Sequence, residues 1–168
     1  MSLPSNMPNL NALPEDVIDE ILRGGEFKIN MNEVSQIAGT SPEIIWVNGC
    51  FDVMHVGHID MLKYARSLGQ KLIVGLDTDE RVQSNKGPSR PINNLYFRVK
   101  FMESIRYVDQ VVTFGSDDEL KELIRTSNAD TIVVGQEYEN DTVIGKELFK
   151  HVIFFPKLYN LSTSKLVG

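Results

Sequence analysis

At 168 residues, with 42% hydrophobic and 24% charged side chains, the chain has the size and composition of one globular domain with at most a short appendage. A net charge of −6 argues against a broad basic face for nucleic acid, and a single cysteine, Cys50, excludes an internal disulfide and a cysteine-caged zinc. No apolar run approaches the roughly 20 residues needed to cross a bilayer and no secretory leader is visible, so a cytoplasmic protein without membrane contact is expected.

Residues 1–42 differ from the rest. Residues 1–14 are rich in Asn, Pro and Ser and read as a loose tail. Val17, Ile18, Ile21 and Leu22 then recur at helical spacing until Gly24 and Gly25 stop the pattern, and residues 30–42 read as another short helix. This is an N-terminal helical appendage with no legible chemistry. A domain spanning 43–168 follows.

Its first segment, IIWVNG, is a short buried strand. Residues 58–69 form a helix with Ile59, Leu62, Tyr64 and Ala65 inside and Gly69 as its stop. KLIVGL is a second strand, and SNKGPSRPINN is a loop of turn formers. Residues 95–108 form a helix with Leu95, Val99, Met102 and Ile105 on one stripe. DQVVTF is a strand, DDELKELIRTS a helix, DTIVVG a strand and TVIGKELFK a further helix. HVIFF is the last strand, and STSKLVG starts a final helical turn. Short apolar strands alternating with helices predict an α/β fold, Rossmann-like, with a five-stranded parallel sheet in three α/β/α layers.

In such sheets ligands bind beyond the carboxyl ends of the strands, where the winding reverses. Four segments fall there: GCFDVMHVGH (49–58), LDTDE (76–80), VGQEYEN (134–140) and KLYNLSTS (157–164). The first turns into a helix near Gly57. A helix N-terminus offers unpaired N–H groups and a positive dipole end, which suits phosphate, and Gly57 lets phosphate approach without a Cβ in the way. His55 and His58 straddle that glycine, and protonation near neutral pH would add positive charge there. Two histidines three apart at a strand-to-helix turn favour a site over simple packing. A zinc site is disfavoured, because the third histidine, His151, begins a distant strand. Neither a P-loop nor a G-x-G-x-x-G turn is present.

GCFDVMHVGH resembles the signature of the HxGH nucleotidyltransferase superfamily, in its cytidylyltransferase-like branch. LYFRVKFMESIRYVDQVV is similar to the Arg-bearing helix and R-Y-V-D segment of glycerol-3-phosphate cytidylyltransferases. NKGPSRPIN resembles the matching loop of bacterial heptose-phosphate adenylyltransferases, and NLSTSK stands where the branch has its terminal I-S-T-T motif. The resemblance covers residues 44–168 in order. It implies transfer of a nucleotidyl group from an NTP, CTP or ATP, to a sugar or polyol phosphate with release of pyrophosphate, for surface-polysaccharide precursors. It also implies Mg2+ or another divalent cation with the NTP, and a homodimer. The attacking group is the acceptor's own phosphate, already mostly ionised at neutral pH, so positioning and charge neutralisation are nearly the whole task.

By the same resemblance, His55 and His58 bind triphosphate and stabilise the α-phosphorus. Lys86 is the mobile lysine of a flexible loop, and Arg98 is the helix arginine that reaches the acceptor phosphate. Gly49, Phe51, Asp52 and Gly57 belong to the nucleotide-binding turn. Asp52 has three readings: orienting a histidine, lying near the metal, or capping the loop. Asp77, Asp79 and Arg90 are acceptor candidates, with Asp77 and Asp79 also placed to face ribose hydroxyls. Gly135, Gln136 and Glu137 fall where base and sugar are recognised, and Ser162, Thr163 and Ser164 where β- and γ-phosphates are held. Arg106 and Asp109 are expected to shape the domain or a dimer contact. Lys157 and Asn160 stand where the glycerol-phosphate enzymes carry Arg and Gly, which weakens transfer of their specificity. A binding module without turnover, and a fragment of a class I aminoacyl-tRNA synthetase, are the competing readings. Trp46, Phe51, Phe97, Phe101, Phe154 and Phe155 fit the core of strands and helices better than a base-stacking platform, and Cys50 fits buried packing.

Overall fold

The computed structural model describes residues 44–156 together with Leu166. The expected N-terminal helices and Ser162, Thr163 and Ser164 lie outside the described residues. The elements are β1 (Ile44–Gly49), α1 (Val56–Ser67), β2 (Lys71–Asp77), α2 (Asp79–Lys86), α3 (Leu95–Glu103), β3 (Gln110–Phe114), α4 (Asp117–Ser127), β4 (Thr131–Gly135) and β5 (His151–Phe155). All neighbouring strands are parallel, in the order β3-β2-β1-β4-β5. The winding therefore reverses between β1 and β4, which makes the carboxyl end of β1 the switch point.

Alternation along the strands divides the apolar side chains between two cores. Ile45, Val47, Leu72, Val74 and Leu76 face α1 and α3, where Leu62, Tyr64, Ala65 and Met102 meet them. Trp46, Ile73 and Ile132 face the other way, onto Leu120 and Ile124 of α4. Burial of each large side chain on this scale stabilises by roughly 1.5–3 kcal/mol relative to exposure. The helices start where short polar residues cap them: Thr78 Oγ1 accepts from the Arg81 N–H, Asn94 Oδ1 from that of Phe97, and Ser116 Oγ from that of Glu119. Asp109 accepts from the Leu72 N–H at 2.7 Å and pairs with Arg66 at 2.8 Å, so it ties the start of β2 to α1.

Besides the helix expected over 95–108, which ends at Glu103 with 104–108 outside it, two elements depart from the sequence reading. Residues 142–150 do not form a helix; only the 3-10 turn Lys146–Leu148 is regular. Gly145 has φ 79 and breaks the pattern, and a Cβ there would stand 2.9 Å from Ile124 Cδ1. The apolar residues that suggested a helix, Val143, Ile144, Leu148 and Phe149, pack in the second core. The second departure is that residues 84–86 are not loop. They complete α2, which Gly87 ends with φ 98 while its N–H donates to the Gln83 carbonyl.

Candidate active site

The chain leaves β1 at Gly49 and reverses through Phe51, whose φ of 48 is rare for a bulky residue. The turn brings the Phe51 ring back over Gly49, where an added Cβ would stand 3.3 Å from Cε2. The same ring meets His58 edge-on at 5.2 Å. His55 is the N-cap of α1 and His58 its third residue, so one helical turn lays the two imidazoles against each other, 3.8 Å apart and 26° from parallel. The His55 backbone N–H donates to His58 Nδ1 at 3.2 Å, so the neutral His58 ring carries its hydrogen on Nε2. Burial, then the neighbouring His55 and Lys86, hold the His58 pKa down to about 4. In the free site His58 is thus held as a neutral N–H donor, while the protonation expected beside phosphate concerns the liganded site.

Asp52 follows at 2% exposure. Its Oδ2 accepts from Arg90 Nε at 2.7 Å and the Ile92 N–H at 2.8 Å, and its Oδ1 from the Asn93 N–H at 2.8 Å. Burial raises its pKa, but the two N–H donors and the Arg90 guanidinium outweigh that and hold it below the ordinary carboxylate value. Of its three readings, the bonds observed are those of a loop cap: both carboxylate oxygens accept from the Arg90 guanidinium and the Ile92 and Asn93 N–H groups. Arg98 is also buried. Its Nε donates to the Asn93 carbonyl, Nη1 to the carbonyls of Cys50 and Asp77, and Nη2 to Asp79 Oδ1. One guanidinium thus fastens the ends of β1 and β2 to the loop before α3.

A cavity of about 410 Å3 is lined from the carboxyl ends of β1, β2 and β4 together. Gly49, Phe51, Asp52, His55, Gly57 and His58 contribute the centre, Asp77 and the exposed Lys86 one flank, and Gly135 and Glu137 the other. Arg90, Arg98, Asp79 and Gln136 do not line it, because the first three are turned into the tethers just described and Gln136 starts the 3-10 turn Gln136–Tyr138. Burial raises the Asp77 pKa while Arg81 opposes the shift. Arg81 itself lines the cavity and was not singled out from sequence; its spacing of four from Asp77 was the available signal. Tyr138, within the segment VGQEYEN, and residues 142–144, which the assumed helix concealed, are further wall residues. Burial pushes the Cys50 thiol up, consistent with packing rather than nucleophilic use. Among the described residues there is no cluster of three His, Cys, Asp or Glu side chains placed to hold a metal ion. Among them, too, no helix is long and apolar enough to cross a membrane.

The sequence model of the family described as cytidylyltransferase-like matches residues 46–165. The bifunctional protein HldE of Helicobacter hepaticus is 42% identical over 125 residues, which are 74% of this chain and 26% of that protein. HldE of Sulfurimonas denitrificans is 39% identical over 134 residues, 80% of this chain and 28% of that one. The chain thus spans little more than a quarter of the length of these relatives. Among solved structures, a lipopolysaccharide core biosynthesis protein from Thermoplasma volcanium superposes with a TM-score of 0.54 at 24% identity, covering 72% of this chain and 99% of that one. The pantothenate synthetase of Thermus thermophilus gives 0.50 at 11%, covering 73% and 59%. Both share the fold.

Proposed function

Since the chain belongs to the cytidylyltransferase-like family and is a nucleotidyltransferase, we propose that it transfers a nucleotidyl group from a nucleoside triphosphate to the phosphate of a sugar, in the cytoplasm, to make an activated precursor of surface polysaccharide. The observation that carries this reading is the stacked His55–His58 pair at the N-terminus of α1, facing the same cavity as Lys86. Neutral His58 Nε2–H and the first N–H groups of α1 donate to phosphoryl oxygens. An acceptor phosphate oxygen bonds to the α-phosphorus as the bond to the β-phosphate bridge breaks, and the electron pair leaves with pyrophosphate. Charge accumulates at the α-phosphoryl oxygens in that step, where preorganised donors lower the barrier most. Lys86, at the end of α2 beside a glycine, follows the leaving phosphates. A divalent cation bound with the triphosphate would neutralise part of its charge. Arg98 and Arg90 take positioning roles, holding the strand-end loops rather than touching the acceptor.

The resemblance of NKGPSRPIN and the HldE relatives favours ATP and a heptose-like phosphate over CTP and glycerol phosphate. Pyrophosphate release from ATP, CTP, UTP and GTP with heptose 1-phosphate, other sugar phosphates and glycerol 3-phosphate tests it. Release with ATP and a sugar phosphate is the expected result; turnover confined to glycerol 3-phosphate would overturn the choice of acceptor. We also propose a homodimer, supported by the exposed Ile92, Tyr96, Phe97 and Phe101 at and before α3, of which Phe97 and Phe101 were expected in the core but point outward from α3, and checked by light scattering of the wild type and Phe97→Glu.

A further inference from the structure

The three strands that feed the cavity bring different chemistry. The turn after β1 supplies the histidines, and β1 lies between β2 and β4 in the sheet. On the β4 flank, Tyr138, Val143 and Ile144 make a half-apolar wall suited to a planar base. On the β2 flank stands an ion pair instead. Arg81 Nε donates to Asp77 Oδ1 at 2.7 Å and Nη2 to Asp117 Oδ1 at 2.7 Å, while the guanidinium lies over the Phe114 ring, 5.3 Å from its centre. Arg81 and Asp77 are 16% and 15% exposed, so the pair is mostly desolvated, yet both residues line the cavity.

An anionic side chain beside a site for phosphates repels the ligands unless it has another task. A carboxylate neutralised by an arginine loses most of that repulsion and keeps its hydrogen-bonding oxygens. These bonds occupy Asp77 Oδ1 and two nitrogens of Arg81; among the described residues Asp77 Oδ2 and Arg81 Nη1 carry none. Side by side, they form one acceptor and one donor, the pattern that reads two neighbouring hydroxyls.

We infer that Asp77 and Arg81 together recognise a vicinal diol of the sugar acceptor, with Asp77 Oδ2 accepting from one hydroxyl and Arg81 Nη1 donating to the next. Arg81 sets specificity and also positions Asp77, and Asp117 and Phe114 hold Arg81 in place. The inference rests on the sugar-phosphate reading above and names the element that selects the sugar. It also explains why Arg81 is gripped from two sides: a freely moving guanidinium beside the histidines would be drawn to the triphosphate.

The test is steady-state pyrophosphate release by wild type, Arg81→Met, Arg81→Lys and Asp77→Asn, with ATP and three kinds of acceptor: heptose 1-phosphate, its mono-deoxy analogues, and ethyl phosphate, which has no hydroxyl. Arg81→Met should lower kcat/KM for heptose 1-phosphate about 10- to 100-fold, mostly through the acceptor KM. The nucleotide KM should stay within about 2-fold, and ethyl phosphate should be used equally by wild type and variant. At least one deoxy analogue should be insensitive to the substitution. Arg81→Lys, which keeps the charge and loses the fork, should retain most of the defect. Equal losses on all acceptors, ethyl phosphate included, would reduce the pair to a structural role. A defect confined to the nucleotide KM would assign it to the ribose, and either result overturns the inference. Should Arg81→Met melt early, Arg81→Lys and Asp77→Asn carry the comparison. A wild type that releases no pyrophosphate from any pairing would instead sink the parent reading.

Discussion

Asp52→Ala tests whether the carboxylate beside the histidines is a structural tether. The substitution removes the partner of a buried guanidinium at 2.7 Å and the acceptor of two backbone N–H groups at 2.8 Å. Stripping one member from a buried pair costs about 3–5 kcal/mol, and each orphaned N–H adds about 1 kcal/mol where water cannot replace the oxygen. Because the Ile92 and Asn93 donors are only partly buried, water recovers some of their share. The expected loss is then about 4–5 kcal/mol, a large part of the 5–15 kcal/mol typical of a domain, and Tm should fall by about 10–20 °C. Thermal and urea unfolding followed by circular dichroism measure it. The double variant Asp52→Ala/Arg90→Met should be less destabilised than Asp52→Ala alone, because no charge is left uncompensated. The pH dependence has a definite sign. A carboxyl with a depressed folded-state pKa gives stability that is present above the ordinary value near 3.8 and is lost as pH falls through the folded value. Wild type should therefore lose this contribution only below about pH 4, and Asp52→Ala should lack it. A Tm shift under about 3 °C, or a double variant no better than the single, would refute the tether.

Other predictions concern the site and its support. In the free protein, NMR titration should place the His58 pKa near 4, and binding of a non-hydrolysable triphosphate should raise it; an unliganded value near 6.5 would contradict the stacked geometry. His58→Ala should reduce kcat about 100- to 1,000-fold while its melting curve stays close to wild type, and a near-normal rate would remove His58 from the mechanism. Lys86→Ala, at an exposed helix end, should change stability by less than about 0.5 kcal/mol while weakening triphosphate use about 10-fold or more. In Gly75→Ala the new methyl would stand 3.0 Å from Trp46 Cζ2 and 3.1 Å from Phe114 Cε1. It should destabilise the sheet by about 1–3 kcal/mol, read as a lower urea midpoint at unchanged slope.

The five strands were legible because each is a short apolar run bounded by turn residues, and the histidine pair because it stands at the end of the first of them. Helix α2 was not, since its only buried side chain is Val82 and its last residues are turn formers, although Thr78 followed by Asp79 and Glu80 marks a helix start. The expected helix at 142–150 failed for the opposite reason. Its apolar residues are core, but Gly145 bends the backbone so that they pack in another way. Arg98 and Arg90 were recognisable as functional types, yet their partners lie tens of positions away, where spacing gives no guidance. Arg81 escaped notice because its significance comes from Asp117 and Phe114, which only the folded sheet brings beside it.

The tether between the histidine turn and the segment 40 and 41 residues later limits how portable this turn is. A peptide carrying residues 44–70 would hold every letter of the motif and none of the bonds from Asp52 to Arg90, Ile92 and Asn93. Grafting the decapeptide onto another strand-to-helix junction should therefore fail unless the loop carrying Arg90, Ile92 and Asn93 travels with it. The histidine turn therefore takes its full set of bonds only once the chain through Asn93 is present.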